Sequence, residues 1–267
     1  MLKDITLGQY FPGDSFVHRL DPRTKLIMVF LYIIALFLAN GFVGYAVMIG
    51  VTAGFIGLSK VPPKSMFRGL KSVVLIIVLT AVLNIFYTDG TVLVQVWKLK
   101  VTYEGIIKAV FMVLRIVMLI CGTFLLTYTT TPVALTDGME LLLNPLKKLK
   151  VPVHEMSMMM SMALRFIPTL IEETDKIMSA QKARGADFET GSLMDRARAL
   201  LPILVPLFVS AFRRADELAI AMESRCYNGG AGRTRMKQLK FKGGDYVALT
   251  FGVLLNVLMI GLQVIGL

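Results

Sequence analysis

The sequence predicts an all-α integral membrane protein with about five transmembrane helices and a cytoplasmic domain, which contains two long amphipathic helices and a short helix. Three observations support this fold class. Hydrophobic residues make up 55% of the 267 residues, and the mean hydropathy is +0.68. Uncharged stretches of membrane-spanning length recur along the chain, and basic residues cluster between them. Such a composition and pattern are typical of membrane proteins.

Residues 1–25 are predicted to form a cytoplasmic N-terminal segment. Pro12-Gly13 indicates a turn, and Asp21 can cap a helix whose first residue is Pro22. His18 is expected to bond locally within this turn. The segment has no apolar core of the kind found in secretory signals, which argues against a cleaved signal peptide.

Residues 26–130 are predicted to contain four transmembrane helices, of which residues 26–58 supply the first two. These 33 residues carry no charge. One straight helix of that length would measure about 50 Å, whereas the hydrocarbon core of a membrane is about 30 Å thick. Asn40-Gly41 is therefore interpreted as the turn of a helical hairpin.

The third and fourth spans are predicted at residues 72–87 and 105–128, on either side of a loop that can form a small hairpin. Arg115 falls inside the fourth span, where a charge is costly in lipid and should face protein or water. The simpler interpretation is a bond to a loop carbonyl or to a nearby acid such as Glu104. The alternative is a contact that controls the movement of a partner.

Residues 131–242 are predicted to form one cytoplasmic domain, and residues 243–267 the final span. This topology places 25 of the 29 lysines and arginines inside, three outside and one within a span. The bias predicts a cytoplasmic N-terminus and an outside C-terminus. A rival topology makes residues 199–212 a span, but fourteen uncharged residues are short for a membrane crossing.

Two long helical patterns dominate the predicted cytoplasmic domain. The first starts near Val153, has a predicted length of about 45–50 Å and is expected to bend at Pro168. Each pattern ends in an arginine between small residues, and we call these two triplets the arginine tips: Ala183-Arg184-Gly185 and Ser224-Arg225-Cys226. A shift of 41 positions aligns the two tips with each other. The pattern therefore indicates an internal duplication.

The N-terminal string G-x-Y-x-P-G-x-S-x-x-H-x-L-D-P-R-x-K at residues 8–25, the span pattern and the two arginine tips together resemble the transmembrane T component of energy-coupling factor vitamin and metal transporters. The resemblance covers essentially the whole chain. It implies a noncatalytic scaffold in the bacterial cell membrane with two ABC ATPase subunits and a substrate-binding S component as partners. It further implies that residues 131–242 form a coupling domain in which the two long amphipathic helices cross. It also implies that one ATPase receives Ala183, Arg184 and Gly185, and the other receives Ser224, Arg225 and Cys226.

The arginine tips also have an interpretation that depends only on helix chemistry. A cation in the last turn of a helix is favourable, and Gly185 suits a helix end, so either arginine alone could be an ordinary cap. Two copies beside small residues favour docking instead. Small neighbours let a helix end enter a groove, where a guanidinium group can bind carboxylate or carbonyl oxygens.

Five methionines occur within residues 156–162. Methionine at helical spacing usually packs in a core, but five in seven residues surround the helix and cannot all face one core. Flexible thioether side chains suit a surface that repacks against different partners. The predicted surface for an S component comprises Met156, Met159, Met160, Ile203, Leu204, Leu207 and Phe208.

Several function classes are excluded by the sequence. It contains no P-loop, no H-E-x-x-H or G-x-S-x-G motif and no paired carboxylates within a span. The two cysteines have no metal-ligand spacing, so no cofactor or metal is expected. The net charge of +11 is attributed to topology signals and lipid head groups, not to nucleic acid. A noncatalytic coupling subunit remains the main hypothesis, and a self-sufficient secondary carrier or membrane-embedded enzyme is the alternative.

Overall fold

The computed structural model describes residues 10–88, 90–96, 99–188, 190, 192–229 and 238–265. The predicted all-α fold class is confirmed, because the strands of the described part are limited to one short antiparallel hairpin. The elements in chain order are α1 Phe16–Arg19, α2 Pro22–Leu38, α3 Gly41–Ser59, α4 Pro63–Lys71, α5 Val74–Tyr87, β1 Val92–Val96, β2 Leu99–Thr102, α6 Tyr103–Thr129, α7 Pro132–Leu143, a 3-10 helix Asn144–Leu149, α8 Val153–Ala183, α9 Leu193–Glu223 and α10 Gly243–Ile265.

The chain divides into two compact units. One unit holds the described residues of 8–139 and 239–267, and we call it the apolar unit. The other holds the described residues of 140–238, including α8 and α9, and we call it the paired-helix unit. Residues 1–9, which include the first two residues of the string at residues 8–25, lie outside the described residues, as do residues 233–237 of the basic run at 233–242.

Within the described residues, three helices of the apolar unit are long and apolar enough to cross a membrane: α3, α6 and α10. Helices α4 and α5 are bent by 65° at their junction and would supply a fourth crossing if they form one broken span. Helix α2 has 17 residues, or about 25 Å, at the lower limit for a crossing. The predicted number of five spans therefore stays a prediction, although each predicted span coincides with a helix.

The third predicted span differs from the structure at its start. The sequence pattern placed it at residues 72–87, but Ser72 closes α4 and the apolar helix α5 begins at Val74. The basic stretch before it is helical, because Pro63 occupies the first turn of α4, where a missing backbone N–H is tolerated. The predicted helical hairpin is confirmed, since α2 ends at Leu38 and α3 begins at Gly41.

The core of the apolar unit forms around α2, which packs against α6 and α10, and buried side chains of α3 join the same cluster. Tyr32 is buried there, and its hydroxyl lies 2.7 Å from the Thr52 hydroxyl and donates to the Met118 carbonyl at 3.2 Å. Arg115 Nη2 donates to the carbonyl of Ala39 at 3.1 Å, in the turn between α2 and α3. The simpler interpretation of Arg115 is therefore confirmed in its loop-carbonyl form.

The carboxylate of Asp245 connects the start of α2 with the start of α10. Asp21 accepts from the backbone N–H of Arg23, which confirms the predicted cap. Asp245 is 1% exposed; it accepts from the backbone N–H of Asp21 at 2.8 Å and from that of Lys242 at 2.7 Å. His18 bonds within the N-terminal turn, as predicted, since its ring nitrogens lie within hydrogen-bonding distance of neighbouring polar atoms, Ser15 Oγ and the Phe11 carbonyl.

Candidate partner-docking site

The paired-helix unit consists mainly of α8 and α9, which have 31 residues each. At 1.5 Å per residue each helix measures about 46 Å, which agrees with the length predicted for the first. Helix α9 begins with a capping box in which Ser192 and Asp195 exchange side-chain and backbone hydrogen bonds. These hydrogen bonds from Ser192 lower the pKa of Asp195, so the cap keeps its negative charge beside the N-terminal helix dipole.

The two arginine tips share one backbone geometry. In each, a residue with positive φ follows the arginine: Gly185 at +89° and Cys226 at +56°. The paired hydrogen bonds of a Schellman motif close both helix ends, and each bond repeats 41 positions later: Ala186 N to Gln181 O (3.0 Å) with Tyr227 N to Met222 O (3.0 Å), and Gly185 N to Lys182 O (3.0 Å) with Cys226 N to Glu223 O (2.9 Å). The duplication inferred from sequence thus extends to the backbone.

All six residues of the arginine tips are exposed. Because backbone N–H groups already satisfy the last carbonyls of both helices, the arginine side chains are not needed as caps. Neither the Arg184 nor the Arg225 guanidinium forms a hydrogen bond or an ion pair with any other residue that the structure describes. Both tips therefore present an uncommitted guanidinium group between small residues, which can bind carboxylate or carbonyl oxygens of a partner.

An ion pair joins the two helices at equivalent positions of the duplication. Arg214 Nη2 donates to Glu173 Oε2 at 2.7 Å, and the two residues are 41 positions apart. When two copies of a unit are related by an approximate two-fold axis, a residue contacts its own equivalent only near that axis. We call the Glu173–Arg214 ion pair the crossing contact. Arg184 and Arg225 each lie 11 residues beyond it along their own helix, or about 16 Å.

A second contact shows the relative direction of the helices. Gln181 Nε2 donates to the carbonyl of Pro202 at 3.3 Å. This carbonyl would normally accept from residue 206 in the same helix, but Pro206 has no backbone N–H. Gln181 follows Glu173 along α8, whereas Pro202 precedes Arg214 along α9. The helices therefore run in opposite directions where they touch, and the two arginine tips lie at opposite ends of the pair.

The structure exposes most of the residues predicted to meet an S component. Met156, Met159, Met160, Leu204 and Phe208 are exposed, and Leu207 is half-buried. Ile203 is only 4% exposed, so it packs within the chain and cannot supply contact surface. Sequence reasoning missed five further exposed apolar residues between residues 200 and 212 of α9: Leu200, Leu201, Val205, Val209 and Phe212.

The exposed apolar residues form corresponding surfaces on the two helices. Met159 and Met160 are the repeat equivalents of Leu200 and Leu201. We call the exposed apolar residues within residues 156–160 of α8 and 200–212 of α9 the apolar face: Met156, Met159, Met160, Leu200, Leu201, Leu204, Val205, Phe208, Val209 and Phe212. On α9 the apolar residues recur about every four residues. This spacing in the sequence indicates a larger apolar surface than the predicted residues of α9 alone. Exposed apolar residues clustered in this way on a helix mark interaction sites.

The described residues contain no group of three or more His, Cys, Asp or Glu side chains that could hold a metal ion. The candidate site therefore consists of two exposed guanidinium groups, a crossing contact and an apolar face. With the apolar helices, these features define an all-α membrane protein that presents a paired-helix docking surface.

Comparison with known proteins gives the family. Residues 13–237 match the family model of CbiQ, described as cobalt transport protein. The chain is 57% identical over 250 residues to the energy-coupling factor transporter transmembrane protein EcfT of Clostridium kluyveri, covering 93% of each chain. It is 50% identical over 264 residues to the EcfT of Bacillus subtilis, covering 98% of this chain and all of the relative. The chain thus belongs to the EcfT family of energy-coupling factor transporter transmembrane proteins, as the resemblance in its sequence indicated.

Proposed function

We propose that this chain is the noncatalytic coupling subunit of an ATP-driven importer in the bacterial cell membrane. Its partners are two ABC ATPase subunits, which hydrolyse ATP, and an S component that binds a vitamin or a metal ion. The N-terminus is cytoplasmic and the C-terminus is outside. The observation that carries this proposal is the pair of exposed, uncommitted arginine tips at equivalent positions on two joined helices.

The geometry supports one route for the transfer of motion. One ATPase binds each arginine tip, so movement of the ATPases relative to each other displaces the ends of α8 and α9. The crossing contact lies the same distance from both tips and holds the helices together while their ends move. The apolar face then changes shape, because its two parts lie on the two moving helices. This is a hinge or shear mechanism.

Reconstitution separates this function from that of a self-sufficient carrier or enzyme. The purified chain alone in liposomes is expected to import no substrate. Liposomes that also contain both ATPases and the S component are expected to import the vitamin or metal ion that this S component binds, and only with ATP inside the compartment that holds the ATPases. Transport by the chain alone would contradict the proposal.

The apolar face is proposed as the surface on which the S component rests. Met159→Asp or Leu204→Asp places a charge where an apolar partner must exclude water, so S-component capture should fall at least tenfold. Copurification of the ATPases should be unchanged, because both arginine tips remain intact. The assay is a pull-down from membranes that contain all the subunits.

Leu149→Asp provides the matched control for the apolar face. Leu149 is 76% exposed and lies outside both long helices, so its replacement adds the same charge without touching the apolar face. Loss of the ATPases before the S component in either apolar-face variant would remove the assignment.

A further inference from the structure

Helix α4 has two chemically distinct sides. Lys64, Phe67, Arg68 and Lys71 are all exposed, and Phe67 is 70% exposed. At about 100° per residue these four side chains occupy one arc of about 100° around the nine-residue helix. The described part of the chain supplies no hydrogen bond or ion pair to any of the three cations. The result is a compact basic surface with an aromatic ring at its edge, which we call the α4 basic surface.

The opposite side of α4 is fixed against the C-terminal part of α6. Met66 is 3% exposed and packs in a cluster with α6 residues. A Cβ at Gly69 would overlap the ring of Phe124, so glycine permits this close approach. The hydroxyl of Tyr128 donates to the carbonyl of Ser65 at 3.3 Å. The side of α4 that carries Met66 and Gly69 therefore packs against α6, and the α4 basic surface faces away from α6.

The packing against α6 also gives the depth of α4 in a membrane. Helix α6 has 27 residues, or about 40 Å, whereas the hydrocarbon core is about 30 Å thick. Its last two turns, which contain Phe124 and Tyr128, therefore reach the boundary between acyl chains and head groups. Helix α4 lies at this level, and it bends by 65° into the apolar helix α5. Amphipathic helices with basic and aromatic residues occupy this depth.

We propose that the α4 basic surface is a binding site for anionic phospholipid head groups. Lys64, Arg68 and Lys71 contact the lipid phosphates, and Phe67 enters the upper part of the acyl chains. Two properties of the α4 basic surface identify lipid as the ligand. Its positive charge complements anionic head groups, and its depth beside the membrane spans places it at the level of those head groups. The proposal rests on the membrane crossing of α6 but on none of the proposed ATPase or S-component contacts.

The test measures thermal unfolding of the full chain, purified in mild detergent, with added phosphatidylglycerol or phosphatidylcholine. Phosphatidylglycerol should raise the Tm by about 3–5 °C more than phosphatidylcholine does, because the native state alone presents the clustered cations. The combined Lys64→Gln, Arg68→Gln and Lys71→Gln variant should lose this difference. The combined Lys147→Gln, Lys148→Gln and Lys150→Gln variant removes the same charge from other exposed lysines and should keep it.

The unmodified chain supplies a test that requires no variant. Salt at 0.5 M screens exposed charges over a few ångströms and should remove most of the phosphatidylglycerol effect. An equal Tm rise with phosphatidylcholine, or a full response in the α4 variant, would overturn the proposal. So would a full response to inorganic phosphate, which would indicate an anion site that needs no lipid. Reduced copurification of protein partners by an α4 variant that still responds to phosphatidylglycerol would identify a protein-docking surface instead.

Because the lipid assay contains no ATPase and no S component, its failure would leave the proposed coupling function untouched. Conversely, loss of the coupling function in reconstitution would not affect the lipid response.

Discussion

The combined Arg184→Ala and Arg225→Ala variant is expected to enter the membrane in normal amounts and to lose its association with the ATPases. Each exposed guanidinium is proposed to bind acceptor oxygens in an ATPase groove. Truncation of one partner in a desolvated charged contact costs about 2–5 kcal/mol, so each ATPase should bind about 30-fold to several thousandfold more weakly. Copurification of the ATPases with the tagged chain measures this effect.

The single variants should show intermediate losses, because each tip serves one ATPase. The combined Arg165→Ala and Arg213→Ala variant is the control, since both residues are exposed arginines within α8 and α9 and neither belongs to a tip. It should retain both ATPases. If the ATPases copurify with the Arg184→Ala and Arg225→Ala variant as well as with the native chain, the tips do not dock them, whatever the transport activity of the variant.

Charge reversal at the crossing contact is expected to uncouple transport without removing the ATPases. The Glu173→Arg variant places two arginines where an ion pair now joins α8 to α9, and both native side chains are less than one third exposed. Loss of the attraction and the new repulsion together cost about 2–4 kcal/mol. The helices should separate at this point, and the transport rate per complex should fall at least tenfold.

The reversed pair, Glu173→Arg with Arg214→Glu, should restore most of the transport, because the same interaction is formed with the charges exchanged. Glu172→Arg is the matched control, since Glu172 is the exposed neighbour of Glu173. Transport assays of the complete complex in liposomes would compare all four chains. If the reversed pair stays as inactive as Glu173→Arg, the ion pair does not hold the helices together.

The features that sequence could predict depend on local chemistry or on repetition. Asp21, Pro22 and the hairpin turn at Asn40-Gly41 follow from capping and span length, and the structure confirms them. The arginine tips were recognisable because the residue types recur after 41 positions. Their shared Schellman motif follows from the same recurrence, although Cys226 occupies a backbone conformation that favours glycine.

The features that sequence could not predict depend on packing between distant residues. The crossing contact was missed because the duplication was read from identical residues, whereas its partners have opposite charges. A search for complementary residues 41 positions apart would have found Glu173 and Arg214. Helix α4 was not predicted, because its packing on α6 involves the close approach of Gly69 to Phe124, which are distant in sequence. The burial of Ile203 likewise results from tertiary contacts, which its apolar type does not specify.

The central claim is that both arginine tips lie on the cytoplasmic side of the membrane. Cys226 supplies a native exposed thiol at the second tip, whereas Cys121 is buried. Two chains suffice for the measurement: Cys121→Ala, which keeps Cys226, and Cys121→Ala with Cys226→Ser and Ala183→Cys, which moves the thiol to the first tip. A membrane-impermeant maleimide should label both in inside-out vesicles and neither in right-side-out vesicles. Labelling of the two tips from opposite sides would contradict the account.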